Sequence, residues 1–146
     1  MLGGAVEEAY AVQIALTLAL AASLVWLWRG SASYDLKAAA LACGSLLATP
    51  YVLDYDFVVL AVSIAFLARH GLAHGFRDYE ISILALCWIM PLFARSLAAG
   101  FGAPVGLVSM LALYALTLRR AVIDVAAQAP VGAALVAPGH PQGAPL

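Results

Sequence analysis

Charge is what this sequence has least of. Asp, Glu, Lys and Arg make up 10% of its 146 residues, where soluble domains carry about a quarter. A water-soluble fold would have no surface to show its solvent, and that class is excluded. Neither sign predominates: seven basic residues against eight acidic ones leave a net charge of -1. No broad basic face is therefore available for a nucleic-acid backbone, which argues against nucleic acid as a partner. Cysteine is nearly absent. Cys43 and Cys87 each fall inside an apolar stretch without C-x-x-C spacing, so they read as small packing residues, not a disulfide or metal pair. A basic n-region is also missing. Glu7 and Glu8 precede the first apolar run, which argues against a cleavable signal peptide and for a first helix that is retained. No internal repeat is visible.

What is present is hydrocarbon. Hydrophobic residues make up 65% of the chain and mean hydropathy is +0.99. The few charges are spaced so that the runs between them approach the roughly 20 residues that cross a bilayer core. The expected fold is all-α, a polytopic transmembrane helix bundle of about five spans. The first runs from about Ala9 to Trp28, ending at Arg29-Gly30-Ser31. The second, Leu36 to Thr49, stops at Pro50, which a helix interior disfavours. The third, Asp56 to Ala68, is also short, and the two form a hairpin around a polar corner. The fourth, Glu80 to Leu97, carries Pro91, which neighbouring helices tolerate in a membrane bundle. The fifth, Val105 to Leu118, closes at Arg119-Arg120. Two regions result: a transmembrane region over 1–125 and a disordered tail rich in Pro, Gly and Ala over 126–146.

Orientation follows from the basic residues. Arg29, Lys37, Arg69, Arg77, Arg119 and Arg120 all lie at ends that an alternating five-span path puts on one side, which is expected to be the cytoplasm. The chain is then a multi-pass protein of the cell membrane, its N-terminus outside and its C-terminus cytoplasmic. Such an outward N-terminus without a signal is expected if earlier spans once preceded Met1. Aromatic residues partition the same way: Trp26, Trp28, Tyr34, Phe76 and Tyr79 at the cytoplasmic boundary, with Tyr10, Tyr51 and Tyr55 at the outer one.

The corner Thr49-Pro50-Tyr51-Val52-Leu53-Asp54-Tyr55-Asp56 is the one constellation with chemistry in it. Acids at membrane depth are costly and usually face a cavity or a partner. An extended turn would converge Asp54 and Asp56, which could then hold a divalent cation, accept hydrogen bonds from sugar hydroxyls or serve as a base. Alternatively Asp56 caps the following helix and Asp54 is solvated; spacing alone favours this second reading. Elsewhere, Arg95 suits phosphate oxygens but as a lone residue is more often a snorkelling anchor. Gln13 reads as a residue that pairs helices. His70 and His74 have the i, i+4 spacing of a metal pair, yet Gly71 and Gly75 favour a cytoplasmic loop, and His140 lies in the tail.

The string Ala48-Thr-Pro-Tyr-Val-Leu-Asp-Tyr-Asp56, followed by an apolar helix and then Phe93-Ala-Arg95, resembles the carboxy-terminal part of the bacterial glycosyltransferase family 87, also called domain of unknown function 2029. Ala9-Tyr10-Ala11 with Gln13 is similar to the family's preceding helix, and the resemblance covers roughly residues 5 to 120. It implies a transferase of the GT-C superfamily, moving a hexose, often mannose, from a polyprenyl-phosphate-linked donor to a lipid or glycan acceptor on the outer face of the membrane. By the same resemblance Tyr51, Asp54 and Asp56 would bind substrate, with Arg95 near the donor phosphate. No bound cofactor is implied beyond a possible divalent cation.

Family members are several times longer, and the acidic residue regarded as their catalytic base lies in a first outer loop with no counterpart here. The chain is accordingly expected to carry no catalytic residue and to be inactive alone, as the C-terminal portion of a transferase. The alternative is a small non-catalytic membrane protein that binds lipid or a partner helix bundle. A transporter fragment is disfavoured by the missing repeat and the scarcity of intramembrane charge.

Overall fold

The computed structural model of the chain describes residues 6–49, 58–101 and 105–135. Among these the structure is all-helical, with five α-helices and no strand: α1 (Val6–Arg29), α2 (Tyr34–Ala48), α3 (Val58–His74), α4 (Glu80–Phe101) and α5 (Val105–Leu135). Each covers one of the apolar runs, and the helices α1 and α5 are long and apolar enough to cross a membrane. The other three are less so by length or composition. The 15 residues of α2 reach only about 22 Å at 1.5 Å per residue.

The largest departures from expectation fall at two boundaries, and both extend a helix. The histidine segment is the last turn of α3, not a loop. Gly71 is inside the helix and Gly75 follows it with φ +82°, the left-handed turn that ends helices and that glycine adopts without steric cost. Helix α5 continues through Ala126 to Leu135, well into the segment read as a disordered tail. Ala126, Ala127 and Ala129 favour the continuation, while Pro130 and Gly132 beyond them disfavour it. Residues 136–146 lie outside the described residues.

At the end of α2, Thr49 is extended (φ -82°, ψ 124°), and its N–H turns back to Leu46 O. This is the backbone that a following proline imposes on its neighbour. Pro91 sits inside α4, where the missing N–H leaves the Cys87 carbonyl without its usual i+4 donor.

Helix α2 is the centre of the bundle, packed on α1, α3 and α5, while α5 also packs on α4. The middle of its buried face is made of small residues, Ala39, Ala40, Cys43 and Gly44, between Leu36 and Leu46, which lets backbones approach closely there. At Gly44 an added Cβ would lie 3.3 Å from the Tyr114 ring and 3.5 Å from Leu24. Leu27, Leu36, Leu60 and Leu113 fill the spaces between helices and are fully buried. Single polar side chains tie the helices together: Ser63 Oγ donates to Ala39 O at 3.0 Å, and Ser23 Oγ meets the Tyr114 hydroxyl at 2.6 Å. Helices α3 and α4 pack on each other more lightly than either packs on its main partner, α2 for α3 and α5 for α4. Helix α1 is largely exposed, with Val12, Ile14 and Leu18 all on the outside. An exposed apolar face of that size marks a surface that meets a membrane or another protein.

Candidate functional site

Tyr51, Asp54 and Asp56 lie outside the described residues. Arg95 falls on α4, and its side chain lies outside them too. The backbone nevertheless locates the neighbourhood. Helix α2 ends and α3 begins on either side of the corner. Val58, first residue of α3, lines the same cavity as Pro91, one helical turn before position 95.

Gln13 anchors α1 to this end of the bundle. Its Nε2 donates to Ala48 O at 3.2 Å and approaches Leu47 O at 3.4 Å, capping carbonyls that the end of α2 leaves free. The helix-pairing role read from the sequence is the one observed. Cys43 and Cys87 are buried free thiols whose sulfurs face α5, at 3.3 Å from Met110 O and 3.6 Å from Ser109 O. Both act as packing residues.

The opposite end holds a network that sequence reasoning missed. Arg120, on α5, is 3% exposed. Its Nη1 donates to both carboxylate oxygens of Glu80, at 3.0 and 2.8 Å. Its Nη2 donates to Gly75 O at 3.0 Å and its Nε to Asp124 Oδ2 at 3.1 Å. Arg77 Nη2 donates to the other Asp124 oxygen at 3.2 Å, and Arg77 N–H donates to Glu80 Oε2 at 2.8 Å, across the turn that leads into α4. His70, also 3% exposed, completes the set. Its Nε2 lies 2.8 Å from Asp124 Oδ2 and its Nδ1 lies 3.1 Å from Ser33 Oγ. A neutral imidazole fits both contacts, donating to Asp124 from Nε2 and accepting the Ser33 hydroxyl at Nδ1. Two guanidinium charges then balance two carboxylate charges, which is the condition for tolerating them in a buried site.

The order carboxylate, imidazole, hydroxyl is that of a hydrolase relay, and here the surroundings oppose that use. Asp124 is already neutralised by two guanidiniums, which withdraws the charge that would stabilise an imidazolium. The arrangement is a clamp. Ser33 at the start of α2, His70 at the end of α3, Glu80 at the start of α4 and Asp124 on α5 are joined through it. Metal binding is equally disfavoured. Both His70 nitrogens are occupied, His74 stacks on His70 at 4.4 Å between ring centroids with its Nδ1 donating to His70 O at 3.1 Å, and no group of three metal-ligating side chains occurs among the described residues.

Around the clamp runs a rim of charge and aromatic rings. Arg69 pairs with Asp35, whose carboxyl is held below the usual carboxylate range chiefly by that hydrogen bond. Lys37 Nζ donates to Gly30 O at 3.0 Å. Trp26, Trp28, Tyr34 and Tyr79 are all exposed here, the arrangement of an interfacial belt. The signals that could have revealed the clamp are the i, i+4 pair Arg120 and Asp124 and the three-residue spacing of Arg77 and Glu80; both were read as markers of where spans end.

No family model matches the chain, and neither does any curated protein or any solved structure.

Proposed function

We propose that this chain is the membrane-embedded C-terminal part of a hexosyltransferase of the family 87 type, which takes its sugar from a polyprenyl-phosphate donor on the outer face of the membrane. The observation that carries this reading is the string Ala48 to Asp56 with Phe93-Ala-Arg95. Its fit to the fold adds support, because position 95 of α4 falls at the end of the bundle where α2 and α3 flank the corner. In this reading all five helices cross the bilayer as a multi-pass bundle in the cell membrane. The clamp and its aromatic rim face the cytoplasm, and the corner faces outward. Tyr51, Asp54 and Asp56 contact the sugar donor or the lipid or glycan acceptor, and Arg95 contacts the donor phosphate, its planar fork matching phosphate oxygens. The catalytic base comes from outside this chain, so the chain transfers no sugar alone.

The test is substitution at the matching positions of a full-length relative. Asp54→Asn and Asp56→Asn impair sugar transfer there without reducing the amount of folded protein. Full activity in both variants overturns the site assignment. Orientation is tested separately by labelling single cysteines placed at the corner and beside Arg119 with a membrane-impermeant reagent in intact cells. Only the corner position reacts.

A second reading, a small non-catalytic membrane protein, is favoured by the clamp itself. Its charges balance within the chain, and no buried side-chain nitrogen or oxygen among the described residues lacks a hydrogen-bond partner. Accumulation of the short chain as a stable folded protein, together with loss of no transferase function on its deletion, selects this reading over the first.

A further inference from the structure

Two cavities of about 300 and 320 Å³ lie between α3 and α4, whose residues line both. Ile64 and Trp88 border both, so the cavities form one groove. Val58 and Pro91 line one end, and Ala68 and Ile81 the other. From Val58 to Ala68 is ten helical steps, about 15 Å, half of a hydrocarbon core of about 30 Å. The groove is therefore as long as one leaflet is deep. Phe76 borders its mouth at the clamp end. The loop after it carries Arg77 and Asp78 side by side, both at the surface, with Arg77 using one guanidinium nitrogen on Asp124.

We propose that this groove is a binding site for one zwitterionic glycerophospholipid with a phosphoethanolamine headgroup. One acyl chain lies along Ile64 and Trp88 with its end near Pro91. The remaining guanidinium N–H groups of Arg77 take the phosphate, and the Asp78 carboxylate takes the primary ammonium. The commitment to this headgroup comes from charge complementarity. An arginine beside an aspartate matches a phosphate beside an ammonium, while an anionic lipid would leave Asp78 facing like charge. An apolar chain suits the walls, which are aliphatic and aromatic side chains over nearly their whole length. The inference needs the chain to sit in a bilayer and is independent of the transferase reading.

Tryptophan occurs three times, at positions 26, 28 and 88, which makes the groove optically addressable. The full chain carrying Trp26→Phe and Trp28→Phe is reconstituted in phosphatidylcholine bilayers containing a minor fraction of either phosphatidylethanolamine or phosphatidylglycerol, each brominated on its acyl chains. Brominated phosphatidylethanolamine quenches Trp88 several-fold more than its mole fraction predicts, and brominated phosphatidylglycerol only in proportion to its mole fraction. Asp78→Asn removes the headgroup preference, and Ala85→Phe, which fills the groove, removes the excess quenching. Proportional quenching by both lipids, or preference retained in Asp78→Asn, overturns the proposal for the groove alone. A chain that does not enter the bilayer overturns it together with the membrane placement.

Discussion

Glu80 and Arg120, forty residues apart, meet in a two-pronged ion pair at 3.0 and 2.8 Å, inside a bundle end where Arg120 is 3% exposed. The pair joins the first turn of α4 to α5 and brings Gly75 O and Asp124 with it. Taking one partner away leaves the other charge desolvated and without its two-pronged partner, Arg120 keeping only Asp124 and Gly75 O, and the loss exceeds what the pair gains over a neutral substitute.

Glu80→Ala is therefore expected to destabilise the bundle by about 3–5 kcal/mol, read as a shift in the unfolding transition of the detergent-solubilised protein. Replacing both partners, as Glu80→Leu with Arg120→Met, recovers most of that loss. Equal destabilisation by the single and double variants would contradict the account.

His70 joins α2 to α5 through Ser33 and Asp124. His70→Ala removes both contacts, one of the two donors to Asp124 Oδ2 and the partner of the Ser33 hydroxyl, at an expected cost of about 1–3 kcal/mol. Hydrogen exchange checks this locally. The amides at the start of α2 and at the Asp124 turn of α5 lose protection, while those around Gly44 keep theirs.

The Arg69 and Asp35 pair behaves differently, because Arg69 is 64% exposed. The Asp35 carboxyl is lowered chiefly by the Arg69 hydrogen bond. A depressed carboxylate contributes stability above its unfolded value of about 3.9 and loses it as pH falls through the folded value. Arg69→Ala is expected to return Asp35 toward the ordinary value in an NMR titration and to leave thermal stability near neutral pH almost unchanged, as exposed pairs do. A large fall in thermal stability would show that the pair is more deeply engaged than its exposure indicates.

Gly44 is where α2 passes closest to Tyr114 and Leu24. Gly44→Leu is expected to force α1 and α5 apart and to cost about 1–3 kcal/mol. Tyr114→Ala in the same chain relieves part of that cost, and a double-mutant cycle measures how much. Additive effects would place the strain elsewhere.

The helices were legible because apolar runs between charged residues are a signal carried by neighbouring positions. The spans Asp56 to Ala68 and Glu80 to Leu97 could be located without knowing their partners. The ends were harder. His70 and His74 were read as a loop because Gly71 and Gly75 count as breakers, whereas Gly71 is buried within α3 and only Gly75 turns the chain. The stretch after Ala126 was read as a tail from its Pro and Gly content, and α5 continues through Pro130 to Leu135. The clamp was not legible as a unit. Glu80, Arg120 and His70 find partners 37 to 54 residues away, and no periodicity encodes that pairing. Gln13 was read correctly because a lone amide in an apolar helix has few other uses.

Helix α4 combines a fixed end with a soft point. Glu80 is fastened by Arg120, and Pro91 lies about halfway along the helix, with a hydrogen bond missing behind it. Mechanically this is a cantilever with a notch. Displacement of such a beam grows with distance from its support, and most of the bending falls at the notch. Position 95 lies on the part of the rod beyond the notch, so a bend at Pro91 moves that end of α4 while Glu80 and Arg120 keep the base closed.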